Sequence, residues 1–129
     1  SNDRYANQEI SYLLQRVEDF PGVVILASNI KANIDEAFSR RFQSIVYFPT
    51  PDNEHRLLLW KRILANTQNL SVDISLDKLA EDYELSGGAM INVIRYGAIN
   101  SLQMDRSEMC QEDLVEGITK ELQKEGKTA

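Results

Sequence analysis

The chain has 129 residues, of which 43% are apolar and 26% charged, ordinary proportions for a globular protein. One cysteine and one histidine exclude an internal disulfide framework and a zinc site built from such residues alone, and they favour a reducing, cytoplasmic setting. The excess of 20 acidic over 14 basic residues disfavours direct contact with nucleic acid or anionic membranes. No apolar run reaches the roughly 18 residues that a membrane-spanning helix needs.

The first part of the chain, residues 3–51, has the pattern of an α/β fragment. Apolar residues at helical spacing predict an amphipathic helix over residues 7–18. The continuous, β-branched run at 23–27 predicts a strand that is buried on both faces, as in a parallel sheet. A short helix over 33–38 and a second strand over 44–48 follow. An alternation of this kind is typical of an α/β sandwich.

The second part, residues 52–129, has no strand candidate and predicts a small bundle of about four helices. Two prolines in the segment Phe48-Pro49-Thr50-Pro51 separate it from the first part. Asp52 is a suitable N-cap for the first helix, and Ser86-Gly87-Gly88 precedes the longest helical pattern. Trp60 is the expected anchor of the core, and Cys110 is expected to be an unpaired thiol in a polar linker.

Polar residues after the first predicted strand are candidates for a site. Asn29 follows that strand, where parallel sheets place their ligands, although this residue alone favours the alternative that it caps or turns the chain after the strand. Arg40 and Arg41 stand side by side before the second strand. One of them could stabilise charge on a phosphoryl group in a neighbouring subunit. The alternative is a solvated pair or a salt bridge to Asp35 or Glu36.

Taken in order, these segments resemble the second half of an AAA+ ATPase module, of the kind found as a central domain in bacterial or phage proteins. The resemblance covers about residues 3–123. It rests on VVILASN at 23–29, NIDEAF at 33–38, RRF at 40–42, FPTPD at 48–52, Arg56, and SGG at 86–88. Each motif is short, and their order and spacing carry the likeness. The resemblance implies the C-terminal part of a P-loop NTPase α/β sandwich, followed by a helical lid.

The resemblance also implies roles for particular residues. Asn29 would be the sensor-1 residue, which polarises the water that attacks the γ-phosphate. Arg40 or Arg41 would be the arginine finger, acting on ATP bound by the adjacent subunit. Gly87 and Gly88 would lie against the base and ribose of the nucleotide. Members of the family often have a polar residue after this glycine pair, and because Ala89 stands there, Ser86 is the expected helix cap instead. No sensor-2 arginine is assigned.

The 129 residues contain neither a Walker A loop nor a Walker B acidic pair. Gly126-Lys127-Thr128 matches the end of a phosphate-loop pattern, but no strand precedes it and only one residue follows it. We therefore expect the chain to be the C-terminal half of a module and to be inactive alone, with no tightly bound nucleotide. In full length, the resemblance implies ATP and Mg²⁺ use by a ring, usually a hexamer, that remodels a protein substrate in the cytoplasm.

Two other interpretations stay open at this point. The chain could be a stand-alone helical interaction module without catalytic activity, or a relative of clamp loaders and initiators that act on DNA. The acidic balance argues against direct DNA contact by this chain. The AAA+ interpretation carries a physical consequence, because the Walker A strand would lie between the two predicted strands. Without it, we expect the first part to be unstable, rearranged or covered by a second copy, whereas residues 52–124 fold independently.

Overall fold

The structure is a computed structural model that describes residues 2–28 and 40–127, with residues 2–7 and 10 described by their backbone alone. Contacts within the chain define two units, Ser1–Tyr47 and Phe48–Ala129, here called unit 1 and unit 2. Unit 1 contains helix α1, and unit 2 contains the other helices. Their bounds are Asn2–Glu18 for α1, Asn53–Leu64 for α2, Leu76–Asp82 for α3, Gly87–Gln103 for α4 and Gln111–Lys124 for α5. In the described ranges no helix has the length and apolar character needed to cross a membrane.

Helix α1 forms as predicted but begins at Asn2, five residues before the predicted start. Its apolar side is only partly used, since Leu14 is buried while Tyr12 and Leu13 are exposed. Unit 1 therefore gives α1 little apolar surface to pack against.

The two strands predicted in unit 1 are wrong for the part of the chain that the structure describes. Residues 23–27 and 44–48 have no regular secondary structure and no sheet pairing. Val23 and Ile25 are each 88% exposed, and Phe48 is 86% exposed. A strand must take its backbone hydrogen bonds from a neighbour, and no described segment supplies one. The α/β part of the predicted fold class is therefore not observed, and the predicted helix at 33–38 lies outside the described residues.

The exposed segment at 23–27 also bears on the expectation that unit 1 would rearrange or find cover. Within the described part of the chain these residues are exposed and have no sheet pairing, which contradicts none of the three expected outcomes for unit 1, namely instability, rearrangement or cover by a second copy. Instability of unit 1 and cover by a second copy stay predictions.

Unit 2 has the predicted four helices around one apolar core. Trp60 is fully buried, as expected for its anchor. Helix α5 packs along α4, and α2 packs against both α3 and α4. The core consists of Trp60, Leu64, Leu79, Ala80, Leu85, Ala89, Met90, Val93, Met109, Leu114, Ile118 and Leu122. Side chains from all four helices contribute, which makes unit 2 a small domain with its own interior.

Three helices of unit 2 begin at a side-chain oxygen that accepts a hydrogen bond from an N–H of the first turn, namely α2 at Asp52, α3 at Ser75 and α4 at Ser86. Asp52 Oδ1 accepts from the His55 N–H at 2.9 Å, which confirms the predicted cap of α2. Ser75 Oγ accepts from the Lys78 N–H at 3.3 Å at the start of α3. Such caps satisfy donors that have no intrahelical partner and fix where each helix starts.

Helix α5 ends in a Schellman motif at Gly126, which has a φ of +72°. The Gly126 N–H donates to the Gln123 carbonyl at 3.0 Å, and the Lys127 N–H donates to the Leu122 carbonyl at 2.8 Å. A left-handed φ is the reason for a glycine at this position. Gly126 and Lys127 therefore terminate a helix, in agreement with the rejection of a phosphate loop there.

Two loops of unit 2 are joined by a short parallel bridge between Leu70 and Met109. The Met109 N–H donates to the Asn69 carbonyl and the Ser71 N–H donates to the Met109 carbonyl, both at 2.9 Å. This bridge holds the α2–α3 loop against the α4–α5 loop. It also places Met109 in the core.

Replacing Gly117 by alanine should destabilise unit 2, because α5 lies close to α4 there. A Cβ at Gly117 would lie 3.0 Å from the Val93 carbonyl oxygen and 3.2 Å from Tyr96 Cδ1. We expect a loss of about 1–3 kcal/mol in the free energy of unfolding, the usual cost of overpacking. Urea denaturation followed by fluorescence of Trp60, which is the one tryptophan of the chain, measures it.

The matched control is Gly88→Ala, since a Cβ at Gly88 would meet nothing within 4 Å. Alanine is the better helix former, so we expect no loss or a gain of up to about 1 kcal/mol. Equal destabilisation by both substitutions would contradict the close approach of α4 and α5 at Gly117.

Candidate functional site

The start of α4 carries the two glycines that the sequence marks as nucleotide-binding. Ser86 is the N-cap and its Oγ accepts from the Ala89 N–H at 3.2 Å, which confirms the predicted cap. Gly87 and Gly88 are the first two residues of the helix, so their N–H groups have no intrahelical acceptor. Open space and two such donors make this end of the helix suitable for a polar or anionic group.

Packing inside unit 2 does not account for the glycine pair. A Cβ on Gly87 would come no closer than 3.9 Å to Leu59 Cδ1, and one on Gly88 would meet nothing within 4 Å. Neither residue has a positive φ. Glycine is among the poorest helix formers, so two in succession at a helix start are unfavourable without another reason.

Arg40 and Arg41, the predicted finger residues, are exposed in a turn of unit 1. The Nε atom of Arg41 lies 3.4 Å from Glu18 Oε1, with side chains 42% and 53% exposed respectively. The sequence offered Asp35 or Glu36 as salt-bridge partners, and both lie outside the described residues. An exposed pair of this kind contributes at most about 1 kcal/mol, so it holds Arg41 only weakly.

The predicted site residues are distributed over separate parts of the chain. Asn29, the predicted sensor 1, lies outside the described residues. Arg40 and Arg41 belong to unit 1, and Gly87 and Gly88 belong to unit 2. The structure therefore describes each of these two sets by itself and does not bring the predicted residues together.

A buried acidic network in unit 2 was missed by the sequence analysis. Asp113 is fully buried and accepts hydrogen bonds from Asn100 Nδ2 at 2.8 Å, from the Cys110 N–H at 2.9 Å and from a guanidinium N–H of Arg106. The Cys110 thiol donates to it at 3.2 Å. Cys110 is a free cysteine, which confirms the expectation of an unpaired thiol. Cys110 is the N-cap of α5 and Asp113 its N3 residue, as in a capping box. Cysteine in place of serine or threonine hid this signal.

The network determines the ionisation of Asp113. Burial acts to raise the pKa of its carboxyl group. The hydrogen bonds from Cys110 and Asn100 and the positive charge of Arg106 outweigh burial, and the pKa lies below its ordinary value. Asp113 is therefore an ionised, fully bonded carboxylate that joins α4, α5 and the loop between them.

The described residues do not offer a place for a cation. Within 2–28 and 40–127, no three His, Cys, Asp or Glu side chains are grouped closely enough to hold a metal ion. The part of the chain that the structure describes therefore supplies no such set of ligands for Mg²⁺.

The chain is similar in sequence to several known proteins. No family model matches it. Among curated proteins, it is 31% identical over 125 residues to the proteasome-activating nucleotidase of Methanopyrus kandleri, a match that covers 92% of the chain. It is 30% identical over 118 residues to the ATPase family gene 2 protein homolog B of Bos taurus, covering 87% of the chain. The katanin p60 ATPase-containing subunit A1 of Arabidopsis thaliana is 33% identical over 82 residues, covering 63% of the chain.

The chain belongs to the AAA+ ATPases. The resemblance derived from the motifs is thereby confirmed as a family assignment. The chain spans 28%, 15% and 16% of the lengths of these three relatives. It therefore corresponds to one part of a longer AAA+ protein in each comparison.

Substituting Asp113 by asparagine should remove a pH-dependent part of the stability of unit 2. The pKa of Asp113 is lowered in the folded state, so its contribution is complete above the unfolded pKa of about 3.9. That contribution is lost as the pH falls through the folded pKa. At pH 7 we expect Asp113→Asn to lower the free energy of unfolding by about 1.5–3 kcal/mol, the range for hydrogen bonds to a charged group.

Urea denaturation followed by Trp60 fluorescence at a series of pH values measures this difference. The gap between the original chain and Asp113→Asn should narrow below about pH 3.9. Glu84→Gln is the control, because Glu84 is exposed and lies at the α3–α4 connection. A gap that stays constant down to pH 2 would contradict the assignment of the ionised network.

Proposed function

We propose that this chain is the sensor-1, arginine-finger and lid portion of an AAA+ ATPase that hydrolyses ATP, with Mg²⁺, as a ring and remodels a protein substrate. The observation that carries the proposal is the match over 92% of the chain to a nucleotidase. One of the three relatives is named as a nucleotidase and the other two as ATPases, so the activity that their names have in common is nucleotide hydrolysis. The substrate protein, the hexameric ring and a cytoplasmic, bacterial setting are part of the proposal on the strength of the motifs.

Arg40 and Arg41 would act on ATP held by the neighbouring subunit. A guanidinium group offers five N–H donors in a rigid fork and keeps its charge, which suits the oxygens of a transferring phosphoryl group. Exposure in a turn and the weak pair with Glu18 support this role, because a phosphate group could draw Arg41 away at small cost. One of the two arginines would be the finger, and the other would hold the turn.

Asn29 and the glycine pair would act on the nucleotide of the same subunit. The side-chain amide of Asn29 can both donate and accept, so it can orient a water molecule toward the γ-phosphate. Gly87 and Gly88 would let the start of α4 approach the base and ribose closely, since neither carries a side chain. The open space around Gly88 supports this role.

A subunit-mixing experiment on the longer protein tests the finger assignment. We expect alanine at Arg40 or at Arg41 to lower the ATPase rate about 10³-fold, the usual contribution of an arginine finger. Arg62→Ala, which removes an exposed arginine on α2, is the control and should keep the rate. Rings mixed from the finger variant and from Asn29→Ala should recover activity. In such rings, a site with an intact Asn29 receives an intact arginine from its neighbour.

Failure of both arginine variants to change the rate would contradict the finger assignment. A lack of recovery in mixed rings would place the arginine in the subunit that binds the ATP. A longer protein without any ATPase activity would favour the alternative, a helical interaction module.

Calorimetric titration with ATP and Mg²⁺ tests what the 129 residues do alone. We expect no measurable binding, because the glycine pair and the arginines contact the nucleotide only from its edges and nothing here cradles its phosphates. The longer protein serves as the positive control. Tight, magnesium-dependent binding by the 129-residue chain would contradict the assignment of a half-module.

A further inference from the structure

Arg56 of α2 is a buried arginine bonded to two separate segments of unit 2. Its exposed fraction is 7%. The Nε–H donates to the Ala80 carbonyl at 2.8 Å, and an Nη1–H donates to the Pro51 carbonyl at 2.9 Å. The sequence analysis used Arg56 only as part of a motif and gave it no role. Its two acceptors are 29 residues apart in sequence, so Arg56 joins distant points of the chain.

One of the two bonds completes a helix end. Ala80 lies in the last turn of α3, where carbonyl groups have no intrahelical donor. A positive group there also faces the negative end of the helix dipole. The bond to the Ala80 carbonyl explains why residue 56 carries a hydrogen-bond donor. It does not explain why that residue is an arginine, since a shorter polar side chain or a lysine can also cap a carbonyl.

Arg56 forms no ion pair within the described residues, and its buried charge is compensated by the two carbonyl groups and by a weak electrostatic attraction to the Asp52 carboxylate. Removing a guanidinium group from water is unfavourable unless its donors are satisfied, and apolar residues of similar volume often stabilise a domain as well or better. An arginine at this position is therefore poorly explained by stability alone. A forked donor that reaches two carbonyls at once is what distinguishes it from lysine or methionine.

The second acceptor lies on the connection between the two units. Pro51 immediately precedes the Asp52 cap of α2 and ends the segment 48–51, here called the connecting segment. Pro49 and Pro51 each fix one backbone φ near −65°, so this segment is stiff. A bond to the Pro51 carbonyl therefore holds the end of a stiff segment against α2 and α3.

We propose that Arg56 is a positioning residue that fixes the direction in which the connecting segment leaves unit 2. A second step of this inference rests on the proposed function. In the proposed ATPase, a connecting segment with a fixed direction places Gly87 and Gly88 at the nucleotide that the rest of the module holds. Loss of the Pro51 bond lets the connecting segment swing while the core of unit 2 stays folded. The glycine pair then reaches the nucleotide in only a fraction of the molecules.

Distance measurements between two nitroxide labels test the clamp without reference to any activity. The labels are placed at Phe48→Cys on the connecting segment and at Lys78→Cys on α3, both exposed positions of unit 2, in a Cys110→Ser background. We expect a narrow distribution of distances with Arg56 present and a broad one in Arg56→Met. Arg62→Met, which removes an exposed arginine from the same helix, is the control and should leave the distribution narrow.

The distance distributions are compared at a temperature at which circular dichroism shows that each variant is folded. If Arg56 contributed only to the stability of unit 2, the distribution in a folded variant would equal that of the parent. Should Arg56→Met fail to fold, Arg56→Gln replaces it, because its neutral side chain is too short to reach both carbonyls. A distribution as narrow in the folded variant as in the parent, or one already broad in the parent, would overturn the clamp.

ATPase kinetics of the longer protein test the second step. We expect Arg56→Met to lower kcat/KM for ATP about tenfold or more through misplacement of the lid, whereas Arg62→Met stays at the parent value. Full activity in a variant with a broad distance distribution would overturn the positioning role. A parent protein that hydrolyses no ATP would instead overturn the proposed function, and the label distances would still decide the clamp.

Discussion

Backbone hydrogen bonding divides this chain into a part that forms a core and a part that does not. A helix makes its backbone bonds within itself, so α2 to α5 need from each other only apolar surface, which the core around Trp60 supplies. A strand takes its bonds from a neighbouring strand. Residues 23–27 have the composition of a strand that is buried on both faces, but the described chain offers no neighbour, and they stay exposed. The same constraint explains why the described residues of unit 1 form no regular secondary structure other than α1.

The parts of the fold that were predictable from the sequence are those fixed by local chemistry. The caps at Asp52 and Ser86 were predicted because serine and aspartate oxygens accept first-turn N–H groups, and both bonds are present. The helix over Gln111–Lys124 forms because its apolar spacing is regular, and it ends where a glycine follows its last turn. Whether residues 23–27 form a strand could not be predicted in this way, since a strand needs a pairing partner that the local sequence does not describe.

Non-local contacts account for the functional details that the sequence analysis missed. Asp113 is ionised and buried because Asn100 and Arg106 reach it from α4 and from the loop after α4, and no local pattern announces such a convergence. Of the predicted site residues, the glycine pair could be tested for a structural explanation, and unit 2 offers none. The proposed contact of Gly87 and Gly88 with the nucleotide would supply the reason that unit 2 lacks.

The contrast between Arg41 and Arg56 illustrates how burial separates two roles for one side chain. The side chain of Arg41 is 42% exposed and makes a solvent-screened pair with Glu18, so this pair can be exchanged for a phosphate group with little loss. Arg56 is 7% exposed and its fork is bonded to two carbonyls, so redirecting its charge would leave the buried Ala80 carbonyl and the partly buried Pro51 carbonyl without this donor. An arginine that acts on a transient ligand must be inexpensive to move, whereas one that sets geometry must be costly to move. On that physical ground the exposure of Arg41 is compatible with the proposed finger role, and the burial of Arg56 is compatible with the proposed role of fixing the connecting segment.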